Sequence, residues 1–340
     1  MGVLDRLSRC GESMSAAEVS VLVREGVAHF SGVATCGLVW ACPVCGATIR
    51  NRRSIEVGAA LQAALDRGMG LALLTLTVRH HKGQTLRELL RGQERAWRRL
   101  QQCRKWRDAA EGLGLVGMIT AREITYGGRS GWHPHRHVCL VLQRPLGLGE
   151  LRQWLDTAWL VWSQKLADEG LTALKEWGID VRPVFGADAV ARYVTLVDEP
   201  RPVRAALELI RGDLKAGRAG SVTPEELAEM VTDGEAEAIA LWTEYAKETA
   251  GRRMLTWTKG LRALLLPDQP VEATDEEVAA EVVGGEVVAK IAPRGWWGVV
   301  AAEDGPVRVL GAAERGRDEL ASVLGTLVSE GDWYLIEGFC

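Results

Sequence analysis

The 340-residue chain is 47% hydrophobic and 25% charged, enough apolar content to fill roughly two or three domain cores. Its longest apolar runs fall well short of the ~20 residues that cross a bilayer, and Asp5, Arg6 and Arg9 charge the first ten residues with no apolar signal core behind them, so a cytoplasmic protein is expected and a membrane or exported one is not. The net charge of −4 averages two unlike parts: residues 1–144 hold 21 Lys+Arg against 11 Asp+Glu, the remainder hold 20 against 34, and all six histidines lie in the first part. A basic front half suits a nucleic-acid partner, and it suits solvated helix faces equally well.

In chain order, the first chemistry is a cysteine cluster. Seven cysteines is an odd number, and Cys36, Cys42 and Cys45 fall within ten residues, the last two in a Cys-Pro-x-Cys turn that can aim two thiolates at one ion. In a chain with no export signal this spacing favours a structural, tetrahedral Zn²⁺ over disulfides, and the fourth ligand is Cys10 or, as second choice, His29. Cys103, Cys139 and Cys340 stand alone and read as structural or incidental. Arg50, Arg52 and Arg53 follow the cluster and read either as phosphate contacts or as a solvated helix face.

Residues 71–79 alternate and are rich in β-formers, predicting a strand. From 85 to about 107, Leu86, Leu89, Leu90, Trp97 and Leu100 recur at helical spacing, with Arg87, Arg91, Arg95, Arg98 and Arg99 on the other faces: a basic, amphipathic helix, able to lie along DNA. Two apolar segments, 115–126 and 132–142, flank Gly127-Gly128-Arg129-Ser130-Gly131 and predict a β-hairpin. A helix over 149–169, a strand over 179–184 and a helix over 187–197 follow, the last placing Tyr193 mid-helix before Pro200. Thr223-Pro224-Glu225-Glu226 marks another helix start, 267–275 reads as a linker, 286–291, 296–301 and 307–310 read as strands, and 314–329 as a final helix. The succession implies an α+β layered domain, a central antiparallel sheet flanked by helices, with a C-terminal helical and small β extension.

Within the second hairpin segment, His133, His135 and His137 alternate, so on a strand their imidazoles share one face and can meet one cation. If Tyr126 pairs with Trp132, Glu123 falls directly opposite His135, with Cβ atoms ~5 Å apart; a one-residue slip turns it to the other face. Imidazoles plus a carboxylate with open positions suit Mg²⁺ or Mn²⁺ on a phosphate substrate.

Several motifs taken together resemble the rolling-circle plasmid replication initiators of the actinobacterial type, in the HUH endonuclease superfamily. They are Cys36-Gly37-Leu38-Val39-Trp40-Ala41-Cys42-Pro43-Val44-Cys45, Thr75-Leu76-Thr77-Val78-Arg79-His80-His81, Gly131-Trp132-His133-Pro134-His135-Arg136-His137, and the stretch from Gly251 to Arg262; the similarity covers about residues 10–266. The resemblance implies that His135 and His137 are a metal-binding pair, Glu123 a third ligand and Tyr193 the nucleophile. It also implies an origin-specific nick giving a 5′-phosphotyrosine and a free 3′-OH, later rejoined, with plasmid origin DNA, a host helicase and a polymerase as partners. Four domains are then expected: a zinc-binding segment (1–58), an HUH nicking domain (59–200), a helical extension (201–266) and a small α/β module (267–340).

The chain departs from the family pattern at three places. Leu196 stands where the family's Tyr-x-x-Lys motif has its lysine, Arg136 where a hydrophobic residue is usual, and Ala189 where some relatives carry a glutamate, with Asp188 one position before it. Two other functions remain compatible with these residues: a relaxase or transposase using the same chemistry, and a zinc-dependent DNA-binding regulator that no longer nicks.

Overall fold

A computed structural model describes residues 2–184, 221–281 and 284–336. Tyr193, with the expected 187–197 helix around it, lies outside the described residues, as do Asp188, Ala189, Arg192, Leu196 and Cys340. The described strands, in chain order, are β1 (Val19–Arg24), β2 (Val27–Ser31), β3 (Gly70–Leu76), β4 (Leu115–Gly127), β5 (Gly131–Leu142), β6 (Ile179–Pro183), β7 (Ser221–Val222), β8 (Leu255–Trp257), β9 (Glu286–Ile291) and β10 (Trp333–Leu335). They form two antiparallel sheets flanked by helices, the α+β class expected from the order of elements. The chain divides into two compact units, Val39–Glu272 and Met1–Leu38 with Ala273–Cys340.

In the larger unit the sheet order is β6-β3-β5-β4-β7, and β8 also pairs with β4. The register of the long β4–β5 hairpin is the one with Tyr126 opposite Trp132, which sets Glu123 opposite His135 and Arg122 opposite Arg136. Gly131 closes its turn with φ +79°, and a Cβ there would stand 2.9 Å from the Lys82 backbone, so both conformation and space demand glycine. Odd-numbered β5 residues carry the histidines to one face. Even-numbered ones, Trp132 to Leu142, point to the other, where the helices Leu86–Gln102, Arg104–Gly112 and Leu148–Ala167 pack.

The Leu86–Gln102 helix begins at a capping box, Thr85 accepting from the Glu88 N–H while Glu88 accepts from that of Thr85, and it buries Leu86, Leu89, Leu90, Trp97 and Leu100 as the periodicity implies. It does not run to residue 107 as expected. Cys103 is extended (ψ 128°) and a second helix, Arg104–Gly112, turns Trp106 inward between Trp97, at 6.1 Å, and Trp154, at 5.3 Å. Helix Pro43–Asp66, capped by Cys42, packs against β3 and the short Leu261–Leu265 helix.

In the smaller unit the sheet order is β10-β9-β1-β2. The 286–291 strand is present as β9, whereas the two segments expected as further strands are helices, Pro293–Ala301 and Gly305–Arg315. Their Val and Trp content reads as β, but Pro293 and Pro306 sit in first turns, where a missing N–H costs nothing. Burial then follows helical spacing, at Trp296 and Val299 and at Val309, Ala312 and Ala313. The final helix expected over 314–329 is present as Arg317–Leu327, set off from the preceding helix at Gly316 (φ +121°). The sheet and these helices enclose a core of Val19, Val21, Val288, Ile291, Trp296, Leu320 and Leu324. Within the expected linker, residues 275 onward start a helix, Asp275–Ala280, capped by Thr274.

Candidate functional site

The histidine face of the β4–β5 hairpin is built by strand alternation. His133 and His135 ring centroids lie 3.9 Å apart and those of His135 and His137 6.0 Å apart. Glu123 comes from β4 on the same face and its Oε2 is 3.0 Å from His137 Nε2. The other ring nitrogen, Nδ1, is 3.3 Å from the Thr75 hydroxyl of β3, so His137 is fixed at both nitrogens. His137 is nearly buried, at 8% exposure.

A fourth imidazole joins the cluster, and sequence reasoning missed it. His80 stacks on His133 at 4.2 Å, its Nδ1 held 3.1 Å from the Val78 carbonyl. With Nδ1–H donating to that carbonyl, Nε2 presents its lone pair; this atom is buried and has no hydrogen-bond partner. The signal was the Thr75–His81 motif, in which Thr75 and His80 both turn out to touch the histidines. Burial, with the neighbouring His80 adding to it, pushes the His133 imidazole down to about 4 against a smaller upward pull from Glu123, so His133 is neutral at physiological pH.

The opposite face of the same two strands carries buried charge. Arg136 is 2% exposed, its guanidinium 5.1 Å from the centre of the Trp97 ring and its Nη2 3.2 Å from Glu94 Oε2. Arg122 pairs with the same carboxylate. Burial pushes both guanidinium groups down to about 9, and Arg136 and Arg252 add to the effect at Arg122.

Cys10, Cys36, Cys42 and Cys45 come together with their sulfurs all within 4.8 Å of one another, three of them buried. Cys10, not His29, completes the set. Cys42 caps the Pro43–Asp66 helix and its sulfur accepts from the Cys45 N–H at 3.4 Å, the geometry of a Cys-Pro-x-Cys turn with both thiols on one side. Four thiolates suit a structural zinc. Among the described residues this is the one set of three or more His, Cys, Asp or Glu donors gathered so closely; the donors on the histidine face are more spread, with Glu123 drawn onto His137. Cys139 is buried within β5, and burial pushes its thiol up to about 12, as a structural cysteine requires.

Of the helix arginines, Arg95 and Arg99 both pair with the nearly buried Glu169. Arg87 pairs with Glu248, while Arg91 and Arg98 make no ion pair among the described residues. Arg50 is buried against Glu225 and Arg53 against Glu56 and Glu272, so these two tie the fold together rather than line a solvated face.

No helix of the described residues is long and apolar enough to cross a membrane. No solved structure matches the chain. "Protein rep" of Streptomyces lividans is 30% identical over 344 aligned positions, covering 82% of this chain and 73% of that protein. "Neomycin resistance protein" of Streptomyces cyanogenus is 32% identical over 34% of this chain and 32% of its own length, and "Protein rep" of Bacillus amyloliquefaciens 30% identical over 41% and 39%. Residues 30–156, which contain the cysteine turn, the Thr75–His81 motif and the whole β4–β5 hairpin, match the family model described as replication protein, Rep_1. The chain therefore belongs to the Rep_1 replication-protein family, the rolling-circle plasmid replication initiators that its motifs resemble.

Proposed function

We propose that the protein starts plasmid replication by nicking one strand of its origin, with Tyr193 as nucleophile and the histidine face as the centre that holds the scissile phosphate. The observation that carries this reading is the hairpin register, which sets Glu123 and three histidines on one face of two paired strands. The donor set fits a divalent ion: imidazoles and a carboxylate together suit Mn²⁺ better than the all-oxygen shell Mg²⁺ prefers. His135, His137 and Glu123 would hold such an ion, with His133 beside them, and bound there it would supply Lewis acidity to a phosphoryl oxygen.

The chain's own groups do the rest. The Tyr193 oxygen forms a bond to phosphorus, the bond to the 3′ oxygen breaks, and that oxygen takes up a proton to become the 3′-OH that primes synthesis. The phosphotyrosine keeps the ester's energy for rejoining. A neutral His133 offers a lone pair rather than a charge, and Thr75 sets the orientation of His137. A phenol with a pKa near 10 needs a neighbouring cation to ionise, and with Leu196 in the place of the family lysine that cation must come from elsewhere in the site. Host helicase and polymerase would follow at the primed end.

The test is incubation with Mn²⁺ and supercoiled DNA of the chain's own plasmid. A nicked circle with a detergent-resistant protein–DNA adduct, lost in Tyr193→Phe, is the expected result. Specific binding with no nick would replace this reading with that of a DNA-binding regulator.

A further inference from the structure

The segment that follows β3 builds a second feature at the edge of the sheet. Trp177 is 80% exposed, whereas the other tryptophans described in the larger unit are buried or half-buried. An indole left this open is out of keeping with the rest of the unit, and it is not on a loose loop. The Trp177 N–H donates to the Leu174 carbonyl at 3.1 Å, the Thr77 hydroxyl donates to the Trp177 carbonyl at 2.6 Å, and the Thr77 N–H donates to the Gly178 carbonyl at 3.0 Å. A Cβ on Gly178 would meet Ala173 at 2.7 Å and Trp159 at 3.2 Å, so the turn is packed tightly from below.

The same short run connects this turn to the histidine face. Thr75 touches His137, Thr77 holds Trp177, Arg79 donates its N–H to the Thr172 carbonyl at 2.7 Å, and His80 stacks on His133. Arg79 is exposed and has no ion pair among the described residues, while the neighbouring Lys175 is already engaged by Asp156 at 2.7 Å. An exposed aromatic on a hydrogen-bonded turn and a guanidinium with no ion pair among the described residues, both held by the run that reaches the histidines, are the two components that single-stranded DNA sites combine.

We propose that Trp177 and Arg79 form a single-stranded DNA subsite next to the histidine cluster, Trp177 stacking on a nucleobase and Arg79 pairing with a backbone phosphate. The assignment rests on the nicking reading of that cluster. Stacking explains an uncovered indole on a hydrogen-bonded turn: the base completes its burial. Glu176, exposed beside Trp177 and with no ion pair among the described residues, opposes phosphate, so neutralising it should tighten binding.

The experiment is fluorescence anisotropy of the full chain with a labelled, mixed-sequence single strand and the matching duplex, without added divalent metal, beside the Mn²⁺ adduct assay on the same preparations. Trp177→Ala should weaken single-strand binding roughly 5- to 150-fold, the range for one lost base stack, and leave duplex binding and the urea midpoint unchanged. Trp177→Phe should stay within about 3-fold of the parent, since a phenyl face still stacks. Arg79→Ala should lower the slope of log K against log salt by about 0.7, and Glu176→Gln should raise affinity. Trp177→Ala within about 2-fold of the parent in single-strand affinity, at any adduct yield, overturns the subsite. Selective loss of single-strand binding in a chain that forms no adduct would retain the subsite and remove the nicking reading instead.

Discussion

Replacing Glu94 should cost more stability than replacing the arginine it serves. Arg136 is sealed at 2% exposure and Arg122 nearly so, and both reach the single carboxylate of Glu94, which is itself 40% exposed. Removing one partner of a buried ion pair costs about 3–5 kcal/mol because a desolvated charge is left uncompensated; the partial exposure of Glu94 argues for the lower end, about 3 kcal/mol for Glu94→Gln. Arg136→Met behaves differently. It gives up a cation–π contact of about 1–2 kcal/mol but leaves Glu94 and Arg122 as a balanced pair and fills the space with an apolar chain, so its net cost should stay under about 1.5 kcal/mol. Urea unfolding followed by near-ultraviolet circular dichroism reads both, and the double variant should recover at least half of the Glu94→Gln loss. A Glu94→Gln protein within about 0.5 kcal/mol of the parent, with Arg136→Met the more damaging change, would refute the idea that excess buried charge stresses this face.

Three further outcomes follow from the geometry. Elemental analysis should find about one zinc per chain, lost in Cys45→Ala; no zinc in the parent protein would leave the four-thiol cluster without its expected occupant. Because the His133 pKa is depressed to about 4 in the folded state against ~6.5 unfolded, its contribution is fully present above pH 6.5 and is lost as pH falls toward 4, by at most about 3 kcal/mol; His133→Gln should flatten that acid limb in protein without added divalent metal, and an unchanged limb would reject the assignment. Alanine at both Arg95 and Arg99 should strand the nearly buried Glu169 and destabilise the fold by about 1–3 kcal/mol, whereas alanine at both Arg91 and Arg98 should leave stability within about 0.5 kcal/mol but reduce the salt slope of DNA binding; the reverse pattern would reassign the helix.

What the sequence makes legible here is whatever depends on short-range periodicity. The Leu86 to Leu100 spacing names the buried face of its helix, and the glycine turn at 127–131 sets the hairpin register, which alone decides that Glu123 shares a face with His135. Contacts between distant segments are not written in any local pattern. The arrival of His80 on His133 depends on Lys82 passing against Gly131, and β9 finds its partner in β1, whose residues lie more than 260 positions earlier. The misread helices after β9 show a different gap: Val and Trp favour strands only when their environment is a sheet surface, and Pro293 and Pro306 were the better guide. Arg136 was visible as an anomaly in the motif, but only its packing against Trp97 and Glu94 shows that a cation does the work of a core residue.

The two faces of the β4–β5 hairpin are therefore coupled through one register. Arg122 stands opposite Arg136 on one side because Glu123 stands opposite His135 on the other; a one-residue slip of β5 would carry Arg136 into the histidine face and the histidines into the core, and a slip of β4 would exchange Glu123 for Arg122. Neither exchange is tolerable: the core side has one carboxylate to balance two guanidinium groups, and the site side would lose Glu123 and its contact to His137. A buried cation with its acceptor on the facing helix thus penalises misregister more steeply than an apolar residue would, since a slipped hydrophobe loses only its burial while a slipped Arg136 loses its ion pair with Glu94 as well. On this argument the buried Arg136 and its pairing with Glu94 help lock the hairpin in the one register that brings Glu123 to the histidines.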